Sequence, residues 1–386
     1  MNILLIPPND LLRHPIPNRL YHIAKRLAER HTIYLLTYPG HPLAKQRTRY
    51  LKAVEITYPA RKVDNLGLYY ILNYPHIRAA IDKTLRTYQI DVVVHANILP
   101  SRAAVDLAEK YRVPAVYDYL DHYPESAAAY YSGFLRTMVE KGVWSLVQKP
   151  LIKSRTVITP SYGLKAVVKT VVPEKSIHVI PNGVDPIFKP MDKWRARKTI
   201  GLDYSGYILL LYGSLDVWID VVKILNAVKN MRSRGIDVAL IIVGFSHGKL
   251  FYRQLLTEII RHGLSKAFFT YPSQPYEKMP YYVNSADAVL SPVKRLRINF
   301  TTPLKIIESL ACGVPVVAPD ILEYRIWFKQ GVFTYDPTKI EDAIISAIRF
   351  REETDVMTRI AQIIMEKYSW DKIVERYINV VKSVVM

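Results

Sequence analysis

The sequence is poor in cysteine, in long apolar runs and in acidic residues. Its 386 residues include one cysteine, Cys312, which excludes an internal disulfide bond and a cysteine-ligated metal cluster. The longest apolar runs, YILLLYG (207–213) and VALIIVGF (238–245), are of strand length, well below the roughly 18 residues of a membrane-spanning helix. The first residues, MNILLIPPND, lack a basic leader and predict a buried strand. We therefore expect a cytoplasmic protein without disulfide bonds.

Basic residues outnumber acidic ones, 53 to 34, which gives a formal net charge of +19. Residues 1–190 hold 26 basic and 14 acidic side chains, so +12 of this excess lies in the first half of the chain. A field of this sign attracts polyanions such as nucleic acid, anionic lipid or phosphorylated substrates. The alternative is a solvated surface that serves solubility alone.

Short apolar strands alternate with amphipathic helices along nearly the whole chain, which is typical of parallel sheets covered by helices. A segment rich in Pro, Gly and charge at about 181–206 interrupts the alternation. The sequence therefore predicts an α/β protein of two doubly wound, Rossmann-like domains that face each other across a ligand-binding cleft. The predicted boundaries are 1–190 for the first domain, 191–365 for the second, and 366–386 for a helix that packs back on the first domain.

The stretch FTTPLKIIESLACGVPVVAPD (300–320) predicts a helix with Thr302 at its N-cap and Pro303 as its first residue. The free N–H groups at such a helix start bind anions. Glu308, three residues after Lys305, would accept hydrogen bonds from ribose hydroxyls. The alternative is an ordinary capped helix with a Lys–Glu pair. Basic residues near this start would bind a diphosphate: Lys294, Arg295, Arg297 and Lys305.

Three other segments place polar residues after predicted strands of the first half. The richest is VYDYLDHYPE (116–125), with Asp118, Asp121 and His122. Because loops after parallel strands meet at one edge of a sheet, we expect these residues to converge. Helix capping and surface exposure are the alternatives. The first turn, PPNDLLRHPIPNRL (7–20), and the segment HANILPSR (95–102) add further candidates: Asn9, Arg13, His14, His95 and Asn97.

Four segments, taken in order, resemble the family 4 glycosyltransferases of the GT-B fold: VITPSYGLKAVV (157–168), IHVIPNGVDPIFKP (177–190), ESLACGVPVVAPD and YSWDKIVERYINVV (368–381). The resemblance is strongest from about residue 154 onwards. Glu308 matches the second glutamate of the family's pair, which holds the donor ribose. The first would fall at Phe300 and is absent. The chain instead looks like a branch with Pro-x-Lys followed by Ser/Thr-Pro-x-Lys-x-x-Glu.

The resemblance implies transfer from a nucleotide-diphosphate sugar with retention and without a metal or other cofactor. No Asp-x-Asp motif is present to bind a metal. The implied catalytic residues are Asp121, His122 and Asp118, and Asn9, Arg13, His14, His95 and Asn97 lie on the acceptor side. For Asp216, Trp218 and Asp220 we expect a structural role. The residues expected to bind the donor are Gly213, Ser214, Lys294, Thr301, Thr302, Lys305 and Glu308.

The charge of the first half predicts work at the cytoplasmic face of an anionic membrane, on an acceptor glycan or a lipid-linked acceptor. Nucleic acid is not expected as a partner, since no motif of a known binding module occurs. A nucleotide-sugar epimerase and a non-catalytic module that binds sugar nucleotides or polyanions remain open alternatives. Three basic stretches rich in apolar or aromatic residues are candidates for the membrane contact: 18–30, 43–54 and 130–155.

Overall fold

The chain divides into two units in a computed structural model that describes residues 1–44, 49–215, 219–246, 249–293, 303–335 and 340–385. Unit 1 comprises Met1–Pro181 and Trp370–Met386, and unit 2 comprises Asn182–Ser369. The sequence places these boundaries at 190 and 365, so the chain enters unit 2 earlier and leaves it later than predicted. The reason is that the segment after Pro181 packs inside unit 2, where Val184 pairs with Ser369 and the Phe188 ring meets Tyr276.

Unit 1 is built on a parallel sheet with the strand order β3-β2-β1-β4-β5-β6-β7. The apolar runs of the sequence form its central strands, and every residue of Val92–His95 and Ala115–Asp118 is buried. The strands are Asn2–Ile6 (β1), Thr32–Leu36 (β2), Val54–Ile56 (β3), Val92–His95 (β4), Ala115–Asp118 (β5), Thr156–Thr159 (β6) and Ile177–Val179 (β7). The helices between them are Arg19–Leu27 (α1), Leu66–Thr87 (α2), Leu99–Lys110 (α3), Tyr123–Ala128 (α4), Gly133–Lys153 (α5) and Tyr162–Lys169 (α6).

Unit 2 is built on a second parallel sheet, with the order β10-β9-β8-β11-β12-β13. A core of buried aliphatic side chains from its strands and helices covers one face. The strands are Tyr207–Leu215 (β8), Val238–Ser246 (β9), Phe268–Tyr271 (β10), Ala288–Leu290 (β11), Val316–Pro319 (β12) and Val332–Tyr335 (β13). The helices are Lys193–Thr199 (α7), Val221–Ser233 (α8), Lys249–Arg261 (α9), Met279–Ser285 (α10), Leu304–Ala311 (α11), Leu322–Trp327 (α12), Ile340–Arg351 (α13) and Thr354–Tyr368 (α14).

The strand order of each sheet reverses direction once. The reversal lies between β1 and β4 in unit 1 and between β8 and β11 in unit 2. At such a reversal the loops that follow the two strands diverge to opposite faces and leave a crevice at the carboxyl edge, where ligands bind. The predicted fold class, two doubly wound parallel α/β units, is confirmed. Among the described residues, no helix is long and apolar enough to cross a membrane.

The last helix, Trp370–Lys382 (α15), returns to unit 1 and packs against α1. The ring of Trp370 stacks on His22 with centroids 4.8 Å apart, and the guanidinium group of Arg19 lies 5.7 Å from the centroid of Tyr377. Burial lowers the pKa of His22 to about 3, so this imidazole is neutral inside the contact. The helix therefore closes a buried aromatic interface on α1.

A buried ion pair joins α1 to the central sheet of unit 1. Arg19 Nε donates to Asp118 Oδ2 at 3.0 Å, and its Nη1 donates to the carbonyl oxygen of Pro181 at 2.8 Å. Both side chains are almost completely inaccessible to solvent. Since a single buried charge is much less stable than a buried pair, each of the two residues depends on the other.

Replacing Asp118 with alanine should destabilise unit 1 by about 3–5 kcal/mol, because the buried Arg19 guanidinium loses its counter-ion. The matched control is Asp371→Ala, which removes the partner of Arg26 at a carboxylate that is 73% exposed and should cost about 0–1 kcal/mol. The measurement is the urea unfolding midpoint, together with hydrogen exchange of the β5 amides. Equal stability of the two variants would contradict the structural role of the Arg19–Asp118 pair.

Candidate functional site

Glu308 is the buried carboxylate of the predicted anion-binding helix, α11. Two tyrosine hydroxyls hold it: Tyr212 donates to Oε2 at 3.0 Å, and Tyr276 donates to Oε1 at 3.2 Å. Burial raises the pKa of Glu308 to about 7, although both hydrogen bonds and nearby Lys305 act in the opposite direction. The carboxyl group is thus fixed in orientation and is poised to change its protonation state near neutral pH.

Lys305 lies in the first turn of α11, one turn before Glu308. Its Nζ is 5.8 Å from the centroid of the Tyr212 ring, and burial lowers the pKa of the ammonium group to about 8. A carboxylate on the same helix partly offsets this effect, because Glu308 favours the charged form of Lys305. The tyrosine therefore joins the two ionisable groups: its ring faces the lysine, and its hydroxyl binds the glutamate.

Gly213 lies near the end of β8, beside Lys305. Its φ of +106° belongs to a region that L-amino acids with side chains rarely adopt, and a Cβ there would lie 3.9 Å from Lys305 Nζ. Its neighbour on β9 is Gly244, where a Cβ would approach the carbonyl oxygen of Gly213 to 2.0 Å. Two glycines thus keep this strand end open next to the lysine. Ser214, the next residue of β8, is partly exposed.

The IPNGVDPIF segment joins the same cluster. The ring of Phe188 meets that of Tyr276 edge to face, with centroids 5.3 Å apart, and Tyr276 donates to Glu308. Asp185 also lies close enough to raise the pKa of Glu308. Tyr212, Tyr276 and Asp185 were not among the residues predicted from the sequence. The available signals were the tyrosine directly before Gly213 and the aspartate inside the IPNGVD motif.

The start of α11 differs from the prediction by one residue. The helix begins at Leu304, and Pro303 occupies the N-cap position with an extended ψ of 138°. Pro303 is therefore not the first helical residue. The predicted donor-binding residues Lys294, Thr301 and Thr302 lie outside the described residues. The neighbouring positions discussed above lie outside them too: Asp216, Trp218, Arg295, Arg297 and Phe300.

Asp121 and His122 follow β5 in unit 1, and both are partly exposed. Asp121 Oδ2 accepts a hydrogen bond from Ser126 at 2.7 Å, and burial raises the pKa of this carboxyl group. His122 shares a hydrogen bond between Nδ1 and the Tyr119 hydroxyl at 3.1 Å, and burial lowers the pKa of its imidazole. The pair therefore presents two titratable groups at the carboxyl edge of the sheet.

Asp118 does not join this pair. It is completely buried in the ion pair with Arg19, and Tyr377 lies beside its carboxyl group. As the last residue of β5 it still belongs to the strand, where it is enclosed between the sheet and the packed helices. The structure thus places Asp118 in the buried core of unit 1 as the partner of Arg19, and its catalytic role stays a prediction.

His95 and Asn97 are also buried and make structural contacts, and their acceptor contacts stay a prediction. His95 is buried: its Nε2 is 3.0 Å from Ser154 Oγ, its ring stacks on Tyr117, and its pKa is lowered to about 3 by burial. Asn97, also buried, donates from Nδ2 to the carbonyl oxygens of Pro7 and Pro8 at 3.2 and 2.9 Å. It therefore ties the end of β4 to the loop after β1, across the point of strand reversal.

Asn9, Arg13 and His14 lie in that loop and are all partly exposed. Asn9 Oδ1 accepts from Asn18, Arg13 Nη1 pairs with Asp10 at 3.0 Å, and His14 Nδ1 is 2.9 Å from the carbonyl oxygen of Ile16. Asp10 is buried and also accepts from backbone N–H groups within the loop. The three predicted acceptor-side residues are therefore held in a fixed loop at the carboxyl edge.

Among the described residues, no group of three or more His, Cys, Asp or Glu side chains is arranged to hold a metal ion.

Family models and relatives match both units. The model of "Glycosyltransferase Family 4" matches residues 16–188, and that of "Glycosyl transferases group 1" matches residues 192–363. A D-inositol 3-phosphate glycosyltransferase of Segniliparus rotundus is 27% identical over 52% of this chain and 45% of its own length. An uncharacterized glycosyltransferase of Methanocaldococcus jannaschii is 26% identical over 63% of each chain. This chain thus spans about half to just under two thirds of these curated relatives.

Solved structures are similar to this chain over almost its whole length. Sucrose-phosphate synthase from Thermosynechococcus elongatus is similar with a TM-score of 0.82 at 15% identity, over 99% of this chain and 98% of the other. HepE of Anabaena in complex with UDP-glucose is similar with a TM-score of 0.73 at 17% identity, over 99% of this chain and 100% of the other. Since the two family models match the two units in order and these neighbours share their architecture, the chain belongs to the family 4 glycosyltransferases and has the GT-B fold.

Proposed function

We propose that this protein transfers a sugar from a nucleotide-diphosphate sugar to a hydroxyl group of an acceptor. The observation that carries the proposal is the arrangement around α11, where Lys305 and the buried Glu308 lie beside the open strand end at Gly213. A cation, the N–H groups of a helix start and a fixed carboxylate are the groups that a diphosphate and a ribose require. A structural neighbour, HepE of Anabaena, was solved in complex with UDP and with UDP-glucose, which supports a donor of this class.

In the proposed complex, the ionised Glu308 accepts hydrogen bonds from the ribose hydroxyls. Its oxygens each receive one bond from a tyrosine, and a carboxylate oxygen has a second lone pair for a ligand. Lys305 and the first N–H groups of α11 bind the diphosphate, and Gly213 lets the phosphates approach the backbone. Lys294, Thr301, Thr302 and Ser214 complete the proposed donor site.

The proposed chemistry stabilises a leaving group and needs no metal or other cofactor. The bond between the anomeric carbon and the diphosphate oxygen breaks, and the negative charge that develops on the diphosphate is stabilised by Lys305 and the helix start. The acceptor oxygen forms the new bond on the same face of the sugar, so the configuration is retained. The acceptor proton passes to the departing diphosphate.

On the acceptor side we assign Asp121 and His122 to the transferred sugar and the reaction centre. Because burial keeps the pKa of His122 below its usual value, the imidazole is neutral at neutral pH and its ring nitrogens are suited to hydrogen bonding. Asn9, Arg13 and His14 form the proposed rim of the acceptor site, in the loop that Asp10 and Asn97 hold in place.

The acceptor we propose is lipid-linked or an anionic glycan, reached at the cytoplasmic face of a membrane. The excess of +12 in residues 1–190 supports this assignment, since it attracts anionic lipid and phosphorylated acceptors. The names of the relatives indicate different acceptors: one is a D-inositol 3-phosphate glycosyltransferase, and another, from Salmonella typhimurium, is a lipopolysaccharide 1,2-N-acetylglucosaminetransferase.

Replacing either Lys305 or Glu308 with alanine should weaken binding of nucleoside diphosphates roughly ten- to a hundredfold, because each variant loses charge-assisted hydrogen bonds. The matched control is Glu258→Ala with Arg261→Ala, another acidic–basic pair three residues apart, on the surface of α9. Isothermal titration with UDP, ADP and GDP measures the effect. Wild-type affinity in both single variants would show that the donor binds elsewhere.

Nucleotide affinity should be highest between about pH 7 and 8. Below the pKa of Glu308, about 7, the protonated carboxyl group no longer accepts both ribose hydroxyls; above the pKa of Lys305, about 8, the positive charge that binds the diphosphate is lost. Titrations across this pH range measure the profile. Glu308→Gln should remove the acidic limb and Lys305→Met the alkaline limb; two unchanged limbs would contradict the assignment.

Replacing His122 or Asp121 with alanine should lower turnover roughly a hundredfold, the usual contribution of a group that acts on the reaction centre, with little change in donor affinity. Sugar transfer from the UDP-sugar that binds most tightly measures turnover, and titration with the same donor measures affinity. His178→Ala, at a partly exposed histidine bonded to Ser176, is the control. Wild-type turnover in both variants would place the chemistry on other residues.

A further inference from the structure

The N-terminal two thirds of α5 have no buried residue. The buried positions of this 21-residue helix are Val147, Pro150 and Leu151, all near its end, whereas residues 133–146 are exposed or partly exposed. We call residues 133–146 the projecting segment of α5. Seven of the 14 residues in its sequence, GFLRTMVEKGVWSL, are hydrophobic. Most helices in proteins are stabilised by burial of their apolar side chains, and the apolar side chains of this segment are not buried.

The ion pairs between α5 and α3 show why the segment projects. Lys149 pairs with Asp106 at 2.7 Å, so the two helices are level at these residues. Helix α3 begins at Leu99, 7 residues before Asp106, whereas α5 begins at Gly133, 16 residues before Lys149. Both helices run antiparallel to the strands, so α5 extends about 13 Å further past the carboxyl edge of the sheet, at 1.5 Å per residue.

The projecting segment has one apolar side and one polar side. Met138 and Val139 follow Leu135 by three and four residues, so the three lie on one side of the helix, while Arg136, Glu140 and Lys141 lie on the other. Phe134 is 80% exposed, Leu135 52% and Met138 54%. Two exposed tyrosines, Tyr130 and Tyr131, precede the helix. Helix α2 begins at the same edge and exposes four aliphatic side chains in its first turns: Leu66, Leu68, Ile71 and Leu72.

The segment ends beside the proposed acceptor residues. The Trp144 ring meets the His122 imidazole at a centroid distance of 5.8 Å, and the charge of Glu140 acts on the pKa of His122. The apolar side chains of residues 134–138 lie about two turns further from the sheet along the same helix. Whatever covers the projecting segment is therefore brought close to the Asp121–His122 loop.

We propose that the projecting segment of α5 lies in the interface of an anionic lipid bilayer, and that the start of α2, at the same edge of the sheet, contacts the same bilayer. The apolar side would enter the acyl boundary, and Tyr130, Tyr131 and Trp144 are the amphipathic aromatic residues that favour the headgroup level. Arg136 and Lys141 would bind anionic headgroups. The inference concerns membrane contact by itself; only its consequence, delivery of a membrane-bound acceptor to His122, rests on the proposed function.

The charge of unit 1 favours a bilayer over a second copy of the chain as the occupant. Two copies would bring together two surfaces of unit 1; residues 1–190, which include most of this unit, carry a net +12, and this repulsion opposes association. An anionic bilayer complements the same charge. Of the three stretches that the sequence offered for membrane contact, 18–30 is excluded, since the apolar side of α1 is buried against the sheet and α15. Residues 45–48 of the second stretch lie outside the described residues.

The test is flotation of the full chain with phosphatidylcholine vesicles that contain or lack phosphatidylglycerol. Wild-type protein should float with the anionic vesicles, and the triple variant Phe134→Ser, Leu135→Ser, Met138→Ser should bind them at least about tenfold more weakly, because three apolar side chains no longer enter the bilayer. Arg136→Gln and Lys141→Gln should each weaken binding about fivefold. The matched control replaces three exposed apolar residues of unit 2 with serine: Val222, Ile260 and Leu322.

The control variant with serine at Val222, Ile260 and Leu322 should bind anionic vesicles as well as the wild-type protein does. Wild-type protein that fails to float, or a triple variant that floats like wild type, overturns the proposal. Light scattering that shows a wild-type dimer dissociated by the triple substitution, without vesicle binding, assigns the surface to a second copy and also overturns it. Flotation needs neither donor nor acceptor, so it tests membrane contact separately from the proposed function. The triple variant should bind UDP like wild type, whereas Lys305→Ala should lose nucleotide binding and still float with anionic vesicles.

Discussion

The reversal of strand order in a parallel sheet is the constraint that positions two groups of residues: those around Lys305 in unit 2 and those around the loop after β1 in unit 1. All strands of a doubly wound sheet end at one edge, but the chain turns to opposite faces only where the order reverses. In unit 2 this reversal lies between β8 and β11, and it brings the open strand end at Gly213 to the lysine of α11. In unit 1 it lies between β1 and β4, where Asn97 binds the carbonyl oxygens of Pro7 and Pro8.

The two buried carboxyl groups, Asp118 in unit 1 and Glu308 in unit 2, have different kinds of partner. Asp118 is paired with the oppositely charged Arg19 inside the core, so the cost of burying each ion is offset by the other, and the pair fastens α1 to β5. Glu308 receives neutral hydroxyl donors instead, and burial raises its pKa to about 7. A carboxyl group in that state has unused capacity to bind a ligand at the edge of the sheet. The two buried carboxyl groups therefore differ in their partners: a cation holds Asp118, and neutral hydroxyl groups hold Glu308, for which we propose ligand binding.

Helix α5 is longer than the connection between its two strands requires. A helix that only returned the chain from β5 to β6 would match α3, whose 12 residues cover the same sheet. The extra turns of α5 expose Phe134, Leu135 and Met138 to solvent, and Trp144, about two turns further along the helix, lies beside His122. A stable protein retains such a surface where binding offsets its exposure. The long helix thus carries exposed apolar side chains past the edge of the sheet where Asp121 and His122 lie.

The sequence by itself determined the fold class, because period-two apolar runs and amphipathic helices are local signals that each segment carries alone. It also determined the family, through IPNGVD and ACGVPVV in that order, and it marked Lys305 and Glu308, three residues apart on one helix. Short strands with weak apolar patterns, such as β3 and β13, were not predicted.

Only the tertiary structure decided which polar residues are buried. Asp118, His95 and Asn97 share their sequence setting with Asp121 and His122, since all follow or end buried strands. They differ in what packs over them: Arg19 from α1, Ser154 after α5 and the loop after β1 come from distant parts of the chain. Long-range packing sets the burial and the partners of these side chains, and no local pattern encodes it.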